Sequence, residues 1–334
     1  MTRRAWSMAA LAIAAAMLLA ACSSTGAAPA SSDGRIRVLA TTTVFADLAR
    51  NAGGGAVVVD SLVPKGADPH TFAPRPSDLR KVADADVIVM NGLGVDDWLT
   101  PLLVSAKRAD TSVVVLGTDL PGATYLASGT SGGQVPCPSS SAAGSPATGG
   151  AATPAASGQA AEAVNPHLWL NVAYAETYVQ RIGAALEAAR PADARAIDAS
   201  TTAYIAQLAA LDASIRSRIA GIPVANRRIV SFHDAFPYYA AAYGLDIVGV
   251  AVEAPGQDPS ASQVASLIDA IRANGVKAVF SEAQFNPKVI GQIAQEAGAT
   301  VVATLYNDSL GDPPVDTYVG MMEWDTDQVV QALR

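Results

Sequence analysis

Short, wholly apolar runs alternate along this chain with stretches in which apolar residues recur every three or four positions. That alternation predicts strands and helices in turn. Arg35-Ile36-Arg37-Val38-Leu39-Ala40 reads as a strand, Thr41-Thr42-Thr43 interrupts it, and Val44, Phe45, Leu48 and Ala49 then fall at helical spacing up to Gly53-Gly54-Gly55. Val57-Val58-Val59 makes a second strand, Ser77-Asp78-Leu79 opens a helix with Ser77 as its expected cap, and 87–90 and 113–116 are further buried strands. A helix is expected over 168–189. Pro191 then starts a longer one, with Ile197, Tyr204, Ile205, Leu208, Leu211, Ile215 and Ile219 on one stripe, ended by Gly221 and Pro223. At 1.5 Å per residue that helix is about 40 Å long, enough to run the length of a whole domain.

The second half repeats the plan. Arg228-Ile229-Val230-Ser231 stands where Arg37-Val38-Leu39-Ala40 stood, each half has an aromatic-led helix (Phe45, Phe236), and Gly66-Ala67-Asp68-Pro69 is answered by Gly256-Gln257-Asp258-Pro259. The pattern predicts an α/β protein of two similar parallel-sheet lobes joined by one long helix. In residue terms, 34–190 forms the N-terminal lobe, 191–221 the linking helix and 222–334 the C-terminal lobe. Within the first lobe, 122–163 is so dominated by Ala, Ser, Gly, Pro and Thr that it is expected to be a disordered surface loop.

The first residues follow a different rule. Arg3 and Arg4 precede an apolar run over 8–21, too short to span a bilayer, which ends at Leu19-Ala20-Ala21-Cys22. Small residues followed directly by cysteine resemble the bacterial lipobox, so 1–21 is expected to be a lipoprotein signal peptide, Cys22 the lipidated mature N-terminus and 22–33 a tether. The chain would then sit outside the cell membrane on a lipid anchor.

The 334 residues are 50% apolar and 16% charged, sufficient for two ordinary cores. Their formal net charge of −8, or −10 once Arg3 and Arg4 are cleaved off, argues against nucleic acid and suits a protein that attracts cations. With Cys22 lipidated, Cys137 has no disulfide partner and reads as a solvated thiol.

Candidate chemistry rests on a small inventory. There are three histidines, His70, His167 and His233, and each lies at the edge of a predicted strand or helix beside turn-forming residues. Asp308, after the apolar strand 300–305, adds a carboxylate. Three imidazoles with one carboxylate are a ligand set for a tetrahedral, borderline-soft metal ion. In paired α/β lobes a ligand belongs beyond the carboxyl ends of the strands, where these residues fall.

The chain resembles the metal-binding members of the cluster A-I solute-binding lipoproteins, which deliver zinc or manganese to ABC transporters. Leu62-Val63-Pro64-Lys65-Gly66-Ala67-Asp68-Pro69-His70, Asn165-Pro166-His167-Leu168-Trp169-Leu170, His233-Asp234-Ala235-Phe236-Pro237-Tyr238-Tyr239 and Asp308-Ser309-Leu310 carry the resemblance, with Tyr318-Val319-Gly320-Met321-Met322 near the C-terminus. It implies two α/β lobes on a rigid long helix, with metal in the cleft between them held by His70, His167, His233 and Asp308. A histidine at 233, where manganese-type relatives tend to have glutamate, implies zinc, with manganese the alternative. An ABC permease is the implied partner of a monomeric carrier. The histidine-rich loop of some zinc-type relatives is missing, since 122–163 contains no histidine.

Two other classes compete. An exported zinc hydrolase would use the same histidines with Glu253 or Glu282 as general base, but Asp308 would close the position that catalytic zinc keeps open, and no His-Glu-X-X-His motif is present. A surface adhesin would use the metal only to staple its fold, and would unfold when stripped.

Overall fold

Each apolar run becomes a strand of a parallel sheet, and the inner strands are buried along most of their length. In the computed structural model, which describes residues 34–129, 134–135, 163–252, 255–256 and 258–334, the first sheet is built from β1 (Ile36–Ala40), β2 (Val57–Ser61), β3 (Val87–Met90) and β4 (Ser112–Val115). All its pairings are parallel, in the order β2-β1-β3-β4. Helices α1 (Thr43–Gly53), α2 (Pro76–Asp84) and α3 (Thr100–Ala106) make the crossovers. A two-stranded antiparallel ribbon, β5 (Tyr125–Leu126) with β6 (Gln134–Val135), follows. Helix α4 (Val172–Ala189) then leads to α5 (Ala194–Ala220).

The second sheet comprises β7 (Arg228–Ser231), β8 (Asp246–Val250), β9 (Ala278–Glu282) and β10 (Thr300–Leu305), connected by α6 (Pro237–Tyr243), α7 (Ala261–Asn274) and α8 (Pro287–Ala297) and closed by α9 (Tyr318–Leu333). Its order, β10-β9-β7-β8, is that of the first sheet with every strand advanced by six. The faint repeat in the sequence is therefore a duplication of topology. Parallel strands need covered crossovers, and this buries β3 and β9 along their whole length.

Helix α5 packs on α1 and α4 of the first lobe and on α6 and α9 of the second. Its buried stripe, Ile197, Tyr204, Leu208, Leu211, Ile215 and Ile219, joins one core that runs from Val38 and Phe45 to Tyr239 and Met322. At 27 residues it is about 40 Å long. Close contact with α4 requires a glycine there: a Cβ on Gly183 would stand 2.5 Å from Thr201 Oγ1.

Four local expectations are corrected. Helix α2 begins at Pro76 rather than at a Ser77 cap, because Asp78 reaches back to accept the Arg75 backbone N–H at 2.7 Å. Residues 168–170 form a 3₁₀ turn, and the α-helix starts only after Asn171, whose side chain caps Ala173 at 3.1 Å. Pro191–Asp193 is likewise a 3₁₀ turn before α5. The start of the supposed disordered loop 122–163 is built into the fold: Tyr125 is buried, and its hydroxyl donates to the Gly117 carbonyl and accepts from the Leu120 N–H, both at 2.8 Å. Composition hid this anchor and the bonds beside it, among them Leu126 N–H to the Tyr238 hydroxyl at 3.0 Å. Most of 130–162, with Cys137, and the whole of 1–33, with Cys22, lie outside the described residues. Among the described residues, no helix is long and apolar enough to cross a membrane.

Candidate metal centre

All four candidate residues come from chain that has just left a strand or is about to enter a helix. His70 ends the turn after β2. Asp68 shapes that turn, accepting the His70 backbone N–H at 2.9 Å and the Thr71 hydroxyl at 2.7 Å, while Trp98 Nε1 donates to the Pro69 carbonyl at 2.8 Å. His167 precedes the 3₁₀ turn, and Asn165 fixes it twice, its Oδ1 lying 3.1 Å from the backbone nitrogen and 2.9 Å from ring Nδ1. His233 follows β7, and Asp308 follows β10.

These anchors determine which ring nitrogen is free. Asn165 Oδ1 can only accept, so His167 Nδ1 carries the proton and Nε2 presents its lone pair. Glu282, the last residue of β9, does the same for His233: its Oε1 accepts the His233 backbone N–H at 2.9 Å and its Oε2 is in close contact with Nδ1. Glu282 also accepts from Asn307 Nδ2 at 2.8 Å, so the carboxylate weighed above as a hydrolase base is already committed to orienting a ligand. Glu253 lies outside the described residues.

The Nε2 atoms converge. His167 Nε2 is 3.3 Å from that of His70 and 3.3 Å from that of His233. Asp308 lies 3.4 Å from His167 through Oδ1, and 3.5 and 3.7 Å from His233 and His70 through Oδ2. One ligand atom from each of the four residues can be chosen so that all lie within 4.8 Å of one another. Four atoms around a tetrahedral centre with bonds of about 2.0–2.1 Å are separated by about 3.3–3.4 Å. Asp308 Oδ1 is buried without a hydrogen-bond partner, a costly state for a carboxylate oxygen unless a cation faces it.

Electrostatics divides the histidines. Burial, helped by its histidine neighbours and opposed by Asp308, lowers the His70 pKa to about 4. Burial and the charge of His233 take His167 well below its usual value. At His233 burial also opposes charge, but Glu282, aided by Asp308, overrides it and raises the pKa to about 9. His70 and His167 are thus neutral and ready to ligate at neutral pH, while His233 must first lose its Nε2 proton.

Only His70 has appreciable exposure among the four, its side chain being 17% accessible. A cavity of about 350 Å³ lined by His70, His167, His233 and Asp234 leads to the cluster, and Gly129 and Ala163, which flank the Ala/Ser-rich segment, stand at its wall. Gly129 N–H donates to Asp234 Oδ2 at 2.8 Å, and that oxygen also accepts from Asn165 Nδ2 at 3.0 Å. Asn165, Asp234, Gln284 and Asn307 were not among the candidate residues. Asn165 and Asn307 could have been suspected from their place beside His167 and Asp308, whereas Gln284 carries no local signal.

A family model described as zinc-uptake complex component A, periplasmic (ZnuA), matches residues 38–332. The chain belongs to the ZnuA family. Iron-binding protein YfeA of Yersinia pestis is 30% identical over 306 residues, covering 91% of this chain and 88% of that protein. The iron ABC transporter substrate-binding lipoprotein MtsA of Streptococcus pyogenes serotype M1 is 27% identical over 322 residues, covering 95% and 94%. Among solved structures, the periplasmic zinc binding protein TroA from Treponema pallidum superposes with a TM-score of 0.75 at 24% identity, covering 90% of this chain and 99% of that one. The Mn-bound periplasmic metal binding protein from Candidatus Liberibacter asiaticus gives 0.73 at 22% identity, covering 90% and 100%. At such identities these two likenesses concern the fold, two parallel-sheet lobes on a long helix. This ZnuA-family chain is accordingly a substrate-binding protein of the metal ABC transporter class, and the family is one of transport proteins.

Proposed function

We propose that the chain captures Zn²⁺ outside the cell membrane, through Nε2 of His70, His167 and His233 and a carboxylate oxygen of Asp308, and passes it to an ABC permease. The observation that carries this reading is the convergence of the four ligand atoms within 4.8 Å, with Asp308 Oδ1 buried and unpartnered among them. Zinc accepts nitrogen-rich tetrahedral surroundings without geometric preference, and manganese favours more oxygen ligands and higher coordination. The names of relatives do not decide the metal, since they speak of iron, zinc and manganese.

Manganese is the second reading. Both Asp308 oxygens lie within 3.7 Å of a histidine Nε2, so a bidentate carboxylate would give three nitrogens and two oxygens. A zinc hydrolase is disfavoured: Asp308 occupies the position that water would need, and Glu282 holds His233. An adhesin stapled by metal is disfavoured by the continuous apolar core through α5, which joins the two lobes by side-chain packing.

In this reading Cys22 carries the lipid that tethers the carrier, which acts as a monomer. The test is metal analysis and competition titration on tag-free mature protein. One tightly bound Zn²⁺ per chain, lost in His167→Ala, is expected; no bound divalent ion would overturn the proposal.

A further inference from the structure

We propose that Gln284 is a positioning residue that leaves Asp308 one oxygen free of hydrogen bonds to bind metal, and so favours four-coordinate zinc over manganese. This rests on the metal reading above. Gln284 Nε2 donates to Asp308 Oδ2 at 3.0 Å and is also in close contact with Asn307 Oδ1. Asp308 Oδ1 has no such donor. The two carboxylate oxygens therefore differ: one has a lone pair engaged and part of its charge neutralised, while the other retains its full ligating power.

The orientation of the Gln284 amide is dictated from the far end of the network. Glu282 Oε2 accepts the His233 ring N–H and can only accept from Asn307, so Asn307 must direct its Nδ2 there, at 2.8 Å. Asn307 Oδ1 then accepts the Asp308 backbone N–H at 2.6 Å and faces Gln284, which can approach two acceptors, this oxygen and Asp308 Oδ2, only with its NH₂ group. The arrangement persists although Gln284 Oε1 is buried without a partner. A flipped amide would face its oxygen toward two acceptors. A chain of two amides thus ties the partner of one histidine ligand to the carboxylate ligand, and its N–H competes with a metal for Oδ2, which stands 3.5 and 3.7 Å from Nε2 of His233 and His70.

Without the Gln284 donor, Oδ1 and Oδ2 become equivalent, and a bidentate carboxylate with three imidazoles gives five ligands, more favourable to manganese. The experiment uses full-length mature protein, wild type beside Gln284→Leu, which removes the donor, and Gln284→Met, which keeps the unbranched length but has no N–H to donate. Each is loaded with Co²⁺ as a spectroscopic probe and titrated with Zn²⁺ and Mn²⁺ in competition; thermal melts of the metal-free forms check folding.

Wild type is expected to show the intense visible bands of four-coordinate cobalt. Gln284→Leu should show the weaker bands of five-coordinate cobalt, with the Zn²⁺:Mn²⁺ affinity ratio falling about tenfold. Gln284→Met, which keeps the length of the side chain should the leucine variant fail to fold, should lower the ratio in the same direction. Five-coordinate bands in wild type, or an unchanged ratio in a folded variant, would overturn the inference while leaving metal capture intact. A wild type that binds none of the three ions would instead overturn the metal reading itself.

Discussion

The indole N–H of Trp169 donates to the backbone carbonyl of Asn307 at 2.9 Å. Trp169 stands two residues after His167, and Asn307 one before Asp308, so this one hydrogen bond ties the segment carrying one candidate ligand to the loop carrying another. Both partners are fully buried, and Phe45 packs edge-on against the indole with ring centroids 5.1 Å apart. The carbonyl of Trp169 in turn accepts from the Tyr318 hydroxyl at 2.6 Å, bringing α9 into the same joint. The cleft is thus framed by groups whose separations are set by a shared core.

Trp169→Phe keeps the aromatic contact and removes the donor, leaving the Asn307 carbonyl buried without a partner. A loss of about 1–3 kcal/mol in stability is expected, read by urea denaturation of the metal-free protein. Zinc affinity should fall as well, because the Asp308 loop loses its tie to the His167 segment. Weakened stability with unchanged affinity would show that the joint is structural alone.

The pH dependence of binding follows from His233. Metal must displace the Nε2 proton of a group whose pKa is raised to about 9, while His70, lowered to about 4, and His167 are already neutral at pH 7. Protonation therefore opposes binding below about 9, and apparent affinity should rise about tenfold per pH unit from 6.5 to 8.5, with about one proton released per ion. Calorimetry in buffers of different ionisation enthalpy measures that release. In Glu282→Gln the main charge holding the proton is gone, so the rise should level off near pH 6.5, the ordinary imidazole range. A proton release of zero at pH 7.5 in wild type would contradict this account.

The sequence does not distinguish the three imidazoles, because Glu282 is 49 residues from His233 and only the β7–β9 pairing brings them together. The lobes, the long helix and the four candidate ligands were legible because each rests on a local signal: apolar runs, a stripe of Ile and Leu, and histidines beside turns. Residues acting through space left no such trace. Asn307 and Gln284 follow strands as ordinary amides, and their roles emerge only when β9 and β10 pair in parallel. Tyr125 was submerged in a biased composition, although one aromatic within a run of small residues is itself an anchor signal.

Shortening the loop should depend on where it is cut. Replacing residues 136–161 by a short linker retains Tyr125, the Gly129–Asp234 bond and the Ala127–Val164 bridge, and zinc affinity should stay within about twofold, below 0.5 kcal/mol. Removing all of 122–163 deletes a buried tyrosine as well as the Gly129 bond to the residue that supports Asn165. A stability loss of about 3 kcal/mol, seen as a lower urea midpoint, is expected for that variant.

The anchor is tested separately. Cys22→Ala removes the only lipidation candidate at the expected cleavage site, and the protein should leave the membrane fraction and be recovered from the medium or periplasm. Quantitative retention on membranes after the substitution would show that something other than lipid at Cys22 holds it there.

Metal preference gives the sharpest test, and Glu282 changes how it must be done. His233→Glu replaces an imidazole nitrogen by carboxylate oxygens, which alone should favour manganese over zinc. At this position, however, the new carboxylate would face Glu282, now a hydrogen-bond acceptor for the His233 ring and backbone, and two buried carboxylates in contact cannot both stay ionised. The single substitution is therefore expected to weaken every divalent ion and to conceal its selectivity. Pairing it with Glu282→Gln restores a donor toward position 233 while keeping the Asn307 contact within reach. In His233→Glu/Glu282→Gln, the Zn²⁺:Mn²⁺ affinity ratio should fall at least tenfold below wild type, about 1.4 kcal/mol, measured by competition against a common chelator. Growth of cells lacking the protein supplies the physiological arm: rescue by added zinc is expected, and rescue by manganese alone would reassign the cargo while leaving the carrier in place.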